Sequence, residues 1–391
     1  MTTVLRRFWL LSALVGLVEF LFGATFMAVL TQRGFSGQDI GYLLALSNIA
    51  ITVLELPSGA WGDRYGQRKM LVLGLTLWGA ALVVYGLAPG IPLTALSLCL
   101  WGAGMAVYSG APTSLVVNRL HESGHGESVP AAVRGAQVAR WTASASGAIA
   151  TVLLLRSTTP ELIIGVSGVV MLLLALWTRK TWEESAKAAG SSVQRKIVDG
   201  VRRAFGARLI GLLALNALMA VVFEVLIMSW QPAAVELAGV PLGFLGVLLF
   251  GYSLAAALGS WLVKYLKTWV TGRAAAVLMA LMAASMGVAS LTDGVLFYLG
   301  FGIAELTCGV LFTVLDTLKQ QRFPDELRNT LTSSFGAIGG LAGAGTALLF
   351  GLAWDRLGLG PALGYCSLGL GLLALALLIP ASMNRAAARA R

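Results

Sequence analysis

The chain has 391 residues, of which 57% are hydrophobic and only 12% are charged, and its formal net charge is +10. Soluble proteins usually carry about 25% charged residues, and their helices need one apolar stripe rather than an apolar surface all round. The composition therefore excludes an ordinary soluble protein and indicates a membrane protein.

Apolar segments of about 20 residues, long enough to cross the hydrocarbon core of a bilayer, recur along the whole chain. Arg6 and Arg7 precede the first segment as in a signal peptide, but it continues to Leu30 without a small-residue cleavage site, so we expect a retained span. In chain order, the predicted spans are residues 8–30, 39–61, 70–88, 91–117, 131–155, 160–178, 208–235, 241–264, 273–291, 294–318, 328–353 and 360–380. The expected fold class is an all-α membrane protein with twelve transmembrane helices.

The positive charges predict how these spans are oriented. With the N-terminus in the cytoplasm, all but three of the 28 Lys and Arg residues lie in cytoplasmic loops or at cytoplasmic helix ends. The exceptions are Arg33, Arg156 and Arg356. This asymmetry follows the positive-inside rule and places both termini in the cytoplasm. It also accounts for the net charge without a nucleic-acid partner.

A polar segment separates the first six predicted spans from the last six. The predicted domains are an N-terminal six-helix bundle (residues 1–178), a cytoplasmic linker (179–207) and a C-terminal six-helix bundle (208–391). In the linker, residues 194–206 have the pattern of a basic amphipathic helix, which favours binding to the anionic lipids of the cytoplasmic leaflet. A solvated basic linker is the alternative.

The segment between the second and third spans, residues 59–69, reads Gly-Ala-Trp-Gly-Asp-Arg-Tyr-Gly-Gln-Arg-Lys. Its glycines permit a tight turn and close helix approach. Its aspartate stands at a helix boundary, where a carboxylate can accept backbone N–H groups or pair with a guanidinium. The pattern resembles the signature cytoplasmic loop of the major facilitator superfamily, G-x-x-x-D-R-x-G-R-R/K, with a departure at Gln67. The matching residues are Gly59, Asp63, Arg64, Gly66, Arg68 and Lys69.

Together with the span count and the charge pattern, this resemblance covers the full chain. It implies the major facilitator fold, in which two six-helix bundles give alternating access to a central cavity, and it implies a transporter rather than an enzyme. It also implies that the loop acts as a gate between the two halves, although Arg68 and Lys69 could serve membrane topology alone. Two signatures of proton-coupled drug exporters are absent, since Leu98 stands four residues before Gly102 where an arginine is usual, and span 5 has Gly147 but no proline.

The two halves show traces of a repeat at an offset of 205 residues. Glu19 corresponds in this way to Glu224, and a glutamate inside a span is rare. The other equivalent pairs are Gly34 and Gly239, Gly41 and Gly246, and Arg68 and Arg273. Repeats of this kind build many secondary transporters, with the binding site at the repeat interface.

Acidic residues inside the spans are the main candidates for function. A charged acid at the centre of a span costs about 2.5–3.5 kcal/mol on insertion scales, so such residues are expected to face protein or a water-filled cavity. The resemblance implies that spans 1, 4, 7 and 10 line this cavity, which places Glu19, Glu224 and Glu305 there. Burial and mutual repulsion favour their protonated form, as proton-coupled transport requires. The alternative is a neutral glutamate that bonds a backbone carbonyl in helix packing.

Other residues complete the predicted site. Trp101 and Tyr108 follow helical spacing in span 4, and Asn216 lies two turns before Glu224, although such patterns also occur in helix cores.

Glu55 lies near the signature loop, and Arg140 of span 5 is a candidate ion-pair partner for one of the acids, with snorkelling to the surface as the alternative. The predicted substrate- and proton-binding residues are therefore Glu19, Glu224, Glu305, Trp101, Tyr108 and Asn216, with Glu55 and Arg140 as a candidate ion pair.

No metal site, disulfide or cofactor is predicted. His121 and His125 lie in a Gly/Ser-rich loop that does not favour metal binding, and the three cysteines have no paired spacing. The sequence also contains no nucleotide-binding motif and no nucleophile–base set.

These observations predict a monomeric, proton-coupled antiporter of the bacterial inner membrane, similar to the drug-exporter branch of the superfamily. Its expected partners are protons, membrane lipids and a small amphiphilic or cationic substrate, as in multidrug efflux. The first alternative is an importer or facilitator of a small nutrient. The second, of another class, is a membrane sensor or assembly protein that transports nothing.

Overall fold

The computed structural model describes residues 2–88, 90–184, 202–266, 270–323 and 328–378, and within these ranges it contains helices and no β-strand. The helices of the first half are α1 (Thr2–Gly23), α2 (Phe26–Gln32), α3 (Gly37–Tyr65), α4 (Gln67–Leu87), α5 (Ile91–Tyr108), α6 (Ala111–Glu122), α7 (Val129–Leu154) and α8 (Pro160–Thr181). Those of the second half are α9 (Ile210–Glu236), α10 (Leu245–Leu262), α11 (Gly272–Leu291), α12 (Gly294–Arg322), α13 (Arg328–Leu357) and α14 (Leu359–Ala376).

Each predicted span coincides with one helix or with a pair of consecutive helices, which confirms an all-α membrane fold. The first span is divided into α1 and α2, and the fourth into α5 and α6 at Ser109 and Gly110. Among the described residues, eleven helices or helix pairs are long and apolar enough to cross a membrane. The predicted fifth span, α7, is not among them. Its 26 residues suffice in length, but Arg134, Gln137 and Arg140 make it less apolar.

The chain divides into two compact units. The first contains the described parts of Met1–Phe35, Leu43–Ile197 and Pro241–Phe250, and the second those of Ser36–Tyr42, Val198–Val240 and Gly251–Arg391. In the first unit, α1 packs along α7, and α4 packs against α5 and α8. In the second, α11 packs against α12 and α14, and α9 packs against α13. Residues 185–201 lie outside the described part of the chain, so the predicted domain limits and the amphipathic helix remain predictions.

Two glycine pairs predicted as equivalent have the same structural role. Gly34 and Gly239 both adopt a positive φ, +75° and +65°. A Cβ at Gly41 would lie 2.4 Å from the Ala347 carbonyl oxygen within the second unit, and a Cβ at Gly246 would lie 2.4 Å from a carbonyl oxygen of α7 within the first. These correspondences support the internal repeat.

The contact between α1 and α7 depends on small residues. A Cβ at Gly147 would lie only 2.4 Å from the Leu17 carbonyl oxygen, so the absence of a side chain lets the two backbones approach. Two hydroxyl groups then bridge the helices, because Ser144 Oγ donates to the Gly16 carbonyl at 3.1 Å and Thr151 Oγ1 donates to the Leu21 carbonyl at 3.0 Å. Small residues and interhelical hydrogen bonds are the usual means of helix association in a bilayer. We call this contact the α1–α7 interface.

The α1–α7 interface predicts the effect of one added methyl group. The substitution Gly147→Ala forces α1 and α7 apart and is expected to lower stability by about 1–3 kcal/mol. The matched control is Gly165→Ala on α8, where an added Cβ meets nothing within 4 Å and alanine has the better helix propensity. Thermal unfolding in detergent measures both variants. Equal melting temperatures for the two would contradict the role of Gly147.

Candidate functional site

A bidentate ion pair joins α1 and α7 in the first unit. Arg140 Nε donates to Glu19 Oε2 at 3.0 Å, and Arg140 Nη2 donates to Oε1 and Oε2 at 2.6 and 2.7 Å. The Glu19 side chain is 16% exposed and that of Arg140 is 39% exposed. The α1–α7 interface positions the pair, because Gly16 lies one turn before Glu19 and directly against the backbone of Arg140.

Arg140 thus pairs with Glu19, and no ion pair among the described residues involves Glu55. This corrects the candidate pairing of Glu55 with Arg140. It also changes the expected charge of the site, because a cation from span 5 compensates one of the three acids assigned to the cavity. Arg140 lies in span 5, outside the four spans (1, 4, 7 and 10) that the resemblance assigns to the cavity.

Aromatic side chains of α5 pack near this ion pair. Tyr108 is buried and lies within electrostatic reach of both charged partners. Trp101 contacts Phe22 and Phe26, with ring centroids 6.3 and 5.3 Å apart. The Trp101 indole Nε1 has no hydrogen-bond partner among the described residues. These rings belong to the packed interior of the first unit, and the Trp101 N–H is a hydrogen-bond donor that the described residues leave unused.

In the second unit, Asn216 and Glu224 lie on α9. Asn216 Nδ2 donates to the Phe335 carbonyl of α13 at 3.0 Å, so its amide connects two helices. Glu224 is 9% exposed and takes part in an interaction of its own. Neither side chain is free in this structure.

Glu305 lies on α12 of the second unit, beside aromatic residues. No ion pair among the described residues includes it. It lies within electrostatic reach of Tyr252, which is 7% exposed and whose hydroxyl has no hydrogen-bond partner in the part of the chain described. The Tyr252 ring lies 5.9 Å from that of Trp230 and 6.4 Å from that of Phe301. Glu305 is therefore a carboxyl with no ion-pair partner in the described ranges, next to an aromatic cluster.

The signature loop connects α3 and α4. Gly59 and Asp63 belong to α3, but the Asp63 side chain lies outside the described part of the structure, so its gating role remains a prediction. Arg64 and Lys69 are exposed. Gly66 makes the turn into α4 with a φ of +108°, a conformation that favours glycine.

Arg68 of this loop holds the segment that follows α8. Its backbone N–H donates to Glu184 Oε1 at 2.9 Å, and its Nη1 donates to the Trp182 carbonyl at 3.0 Å. The Glu184 carboxylate thus lies at the N-terminus of α4, where free N–H groups and the helix dipole favour negative charge. A Cβ at Gly66 would lie only 2.3 Å from Glu184 Oε2. Sequence reasoning missed Glu184, although an acid directly after span 6 could have been matched with the basic loop.

Metal binding would involve the two histidines, which lie at the end of α6 and just after it. His121 is exposed near the end of α6, and no group of three or more His, Cys, Asp or Glu residues within the described ranges could hold a metal ion.

Comparison with known proteins gives consistent similarities over the whole fold. A family model described as the Major Facilitator Superfamily matches residues 8–347. A mutant form of the nucleoside transporter NupG has a similar structure, with a TM-score of 0.81 and 11% identity over 96% of this chain and 99% of that one. A bacterial homolog of the human lysosomal transporter Spinster, in an inward-facing and occupied conformation, gives a TM-score of 0.71 and 16% identity over 99% and 97%. At these identities the similarity concerns the fold alone.

One curated relative matches over a short segment. Multidrug resistance protein 2 from Bacillus subtilis (strain 168) is 33% identical over 58 residues, which is 15% of this chain. The match spans 14% of that protein's length.

The ion pair between Glu19 and Arg140 predicts a coupled effect on stability. Glu19→Gln or Arg140→Gln alone leaves one charge without its partner, and each is expected to destabilise the protein by roughly 1–3 kcal/mol, less than for a fully buried pair because Arg140 is partly exposed. The double variant should cost less than the sum of the single variants. Thermal unfolding in detergent measures the stability of the wild type, the two single variants and the double variant. The pair of Asp316 and Lys319 within α12, 2.7 Å apart and with an exposed carboxylate, provides the control. Additive effects at Glu19 and Arg140 would contradict the coupling.

The turn at Gly66 predicts a second coupled effect. Gly66→Ala combines an unfavourable positive φ with a clash against Glu184, and we expect a loss of about 1–3 kcal/mol. Gly34→Ala is the control for the φ alone, since a Cβ there meets nothing within 4 Å. The cost of Gly66→Ala should fall when Glu184→Ala is also present, as measured by melting temperature. If Gly66→Ala lowers the melting temperature equally in the Glu184→Ala variant, a clash between residue 66 and Glu184 is excluded.

Proposed function

Since the chain belongs to the Major Facilitator Superfamily, we propose that it exports small amphiphilic or cationic molecules in exchange for protons. Its family makes it a membrane transporter rather than an enzyme. The substrate binds in a cavity to which the two halves give access alternately from each side of the bacterial inner membrane.

The observation that carries the proposal is the environment of Glu305. A carboxyl inside a membrane helix is costly when ionised, unless a cation or water compensates it. Glu305 has no ion-pair partner among the described residues, so it can hold a proton from one side and release it when the site opens to the other. Glu19 differs, because the Arg140 guanidinium beside it favours its ionised form.

The substrate class is supported by the side chains near Glu305. Tyr252, Trp230 and Phe301 form contiguous rings, and aromatic faces attract organic cations. An ionised Glu305 adds a counter-charge, so a substrate cation and a proton compete for the same carboxyl. The short similarity to Multidrug resistance protein 2 agrees with this substrate class.

In this mechanism the protein has the topology, the domains and the oligomeric state that its sequence predicts. Both termini lie in the cytoplasm, the bundles extend over residues 1–178 and 208–391, and the protein acts as a monomer. The signature loop, with Asp63 as its central carboxylate, acts as a gate on the cytoplasmic side, and residues 194–206 bind the anionic leaflet.

Inverted membrane vesicles test direction and coupling together. Vesicles that contain the protein should accumulate ethidium, a planar aromatic cation, when ATP hydrolysis acidifies their interior, and an uncoupler should abolish the accumulation. Vesicles without the protein provide the background. Ethidium accumulation that is indifferent to the uncoupler would exclude proton coupling. Protein-dependent uptake into right-side-out vesicles alone would identify an importer instead.

Glu305→Gln is the critical variant in this assay. Because glutamine is permanently neutral, the variant can neither release a proton nor supply a counter-charge. Gradient-driven accumulation should therefore fall to the level of uncoupled vesicles, and exchange of ethidium at equal pH should weaken as well. Glu236→Gln, at the exposed end of α9, should accumulate ethidium like the wild type. Rates are normalised to the amount of folded protein. Normal accumulation by Glu305→Gln would refute the role of this carboxyl.

A further inference from the structure

A cavity of about 460 Å³ opens at the end of the first unit where α1 begins, α6 ends and the chain leaves α8. This volume lies within the range of small-molecule sites. The residues that form it play no part in the proposed transport cycle. The cavity therefore needs an explanation of its own.

The two cations at this cavity differ in their partners. Arg7 donates a hydrogen bond to the Thr181 carbonyl, and no ion pair among the described residues includes it. Arg119, the other cation of the lining, differs because it pairs with both Glu122 and Glu183. The cavity thus contains a cluster of one cation and two carboxylates with a formal charge of −1. Beside it, the Arg7 guanidinium brings the formal charge of the lining to zero and has no ion-pair partner among the described residues.

Two further donors accompany Arg7. Trp182 lines the cavity and is 6% exposed, and its indole Nε1 has no hydrogen-bond partner in the described part of the chain. Thr3 and Val4 also line the cavity and belong to the first turn of α1, where the backbone N–H groups have no partner within the helix and the helix dipole is positive. Guanidinium, indole and helix N-terminus together form an arrangement of donors suited to a phosphate group.

The remaining wall is apolar. It is formed by aliphatic side chains of α1 and α6, namely Val4, Leu115, Val116 and Leu120. A ligand that fills the cavity therefore combines an anionic group with an apolar portion.

The position of the cavity favours a lipid as the source of this ligand. It lies at the predicted cytoplasmic boundary of the bilayer, where Arg6, Arg179 and Lys180 are exposed. Trp177 and Trp182 lie there with ring centroids 6.3 Å apart, as is typical of the aromatic residues of a membrane interface.

We propose that this cavity binds the phosphate of an anionic phospholipid, with Arg7, Trp182 and the first turn of α1 as donors and the aliphatic wall around the glycerol and the first acyl carbons. The site is distinct from the predicted lipid contact at residues 194–206, and it does not depend on what the protein transports.

Binding of a soluble phospholipid tests the site directly. Dihexanoylphosphatidylglycerol is titrated into the full-length protein in a non-ionic detergent, with isothermal calorimetry as the readout, and inorganic phosphate alone is titrated in parallel. We expect saturable binding of the lipid and much weaker binding of phosphate. Phosphate affinity equal to that of the lipid would overturn the assignment to a phospholipid, and so would the absence of saturation.

Three variants distinguish the site from general surface charge. Arg7→Gln should weaken lipid binding roughly tenfold and Trp182→Phe about threefold, through loss of their hydrogen bonds. Arg6→Gln is the matched control, because Arg6 precedes Arg7 on the same helix but does not line the cavity, and it should change the affinity by less than about twofold. Equal losses of lipid affinity in Arg6→Gln and Arg7→Gln would contradict the proposed site. Trp182→Phe removes the N–H donor and keeps an aromatic ring, so full affinity in that variant would contradict the site as well.

Discussion

Close approach between α1 and α7 decides where the charges of the first unit can meet. Lipid tails are as apolar as leucine, so helices in a bilayer associate through packing and interhelical hydrogen bonds rather than through the hydrophobic effect. Gly16 and Gly147 permit that approach, and the hydroxyl groups of Ser144 and Thr151 stabilise it. The Arg140 guanidinium then reaches the Glu19 carboxylate in a bidentate geometry. The α1–α7 interface and the ion pair thus depend on each other: the interface brings the two side chains together, and the ion pair adds a further link between the two helices.

The acids inside the spans have different environments, and this difference shapes the proposed mechanism. Glu19 has a cation beside it that favours its ionised form, so it suits a structural or substrate-orienting role. Glu305 has aromatic neighbours and no ion pair among the described residues, so its charge can change during a transport cycle. Glu224 takes part in an interaction within its buried surroundings. A repeat relates Glu19 and Glu224 in sequence, but their equivalence in position does not make them equivalent in chemistry.

The signature loop has a role within the first unit, separate from the proposed gate. Arg68 uses both its backbone N–H and its guanidinium to hold the chain where it leaves α8, and Gly66 leaves room for the Glu184 carboxylate. The start of the predicted linker is thereby tied to the N-terminus of α4. A movement of the loop would therefore be transmitted to the start of the linker through a defined contact.

Hydropathy and one contiguous motif were enough to predict the helices and the family, because these signals lie in neighbouring residues. The span predicted at 39–61, for example, corresponds to α3, and the motif at 59–69 lies at its junction with α4. The glycine pairs at an offset of 205 residues were also visible, since a repeat preserves spacing. What the sequence could not determine is which helix faces meet. Arg140 and Glu19 are 121 residues apart, Asn216 and Phe335 are 119 apart, and Arg68 and Glu184 are 116 apart. Only the tertiary structure decided these partners, because a side chain deep in a membrane bonds whichever group helix packing brings within about 3 Å, and that packing is the sum of contacts along entire helices.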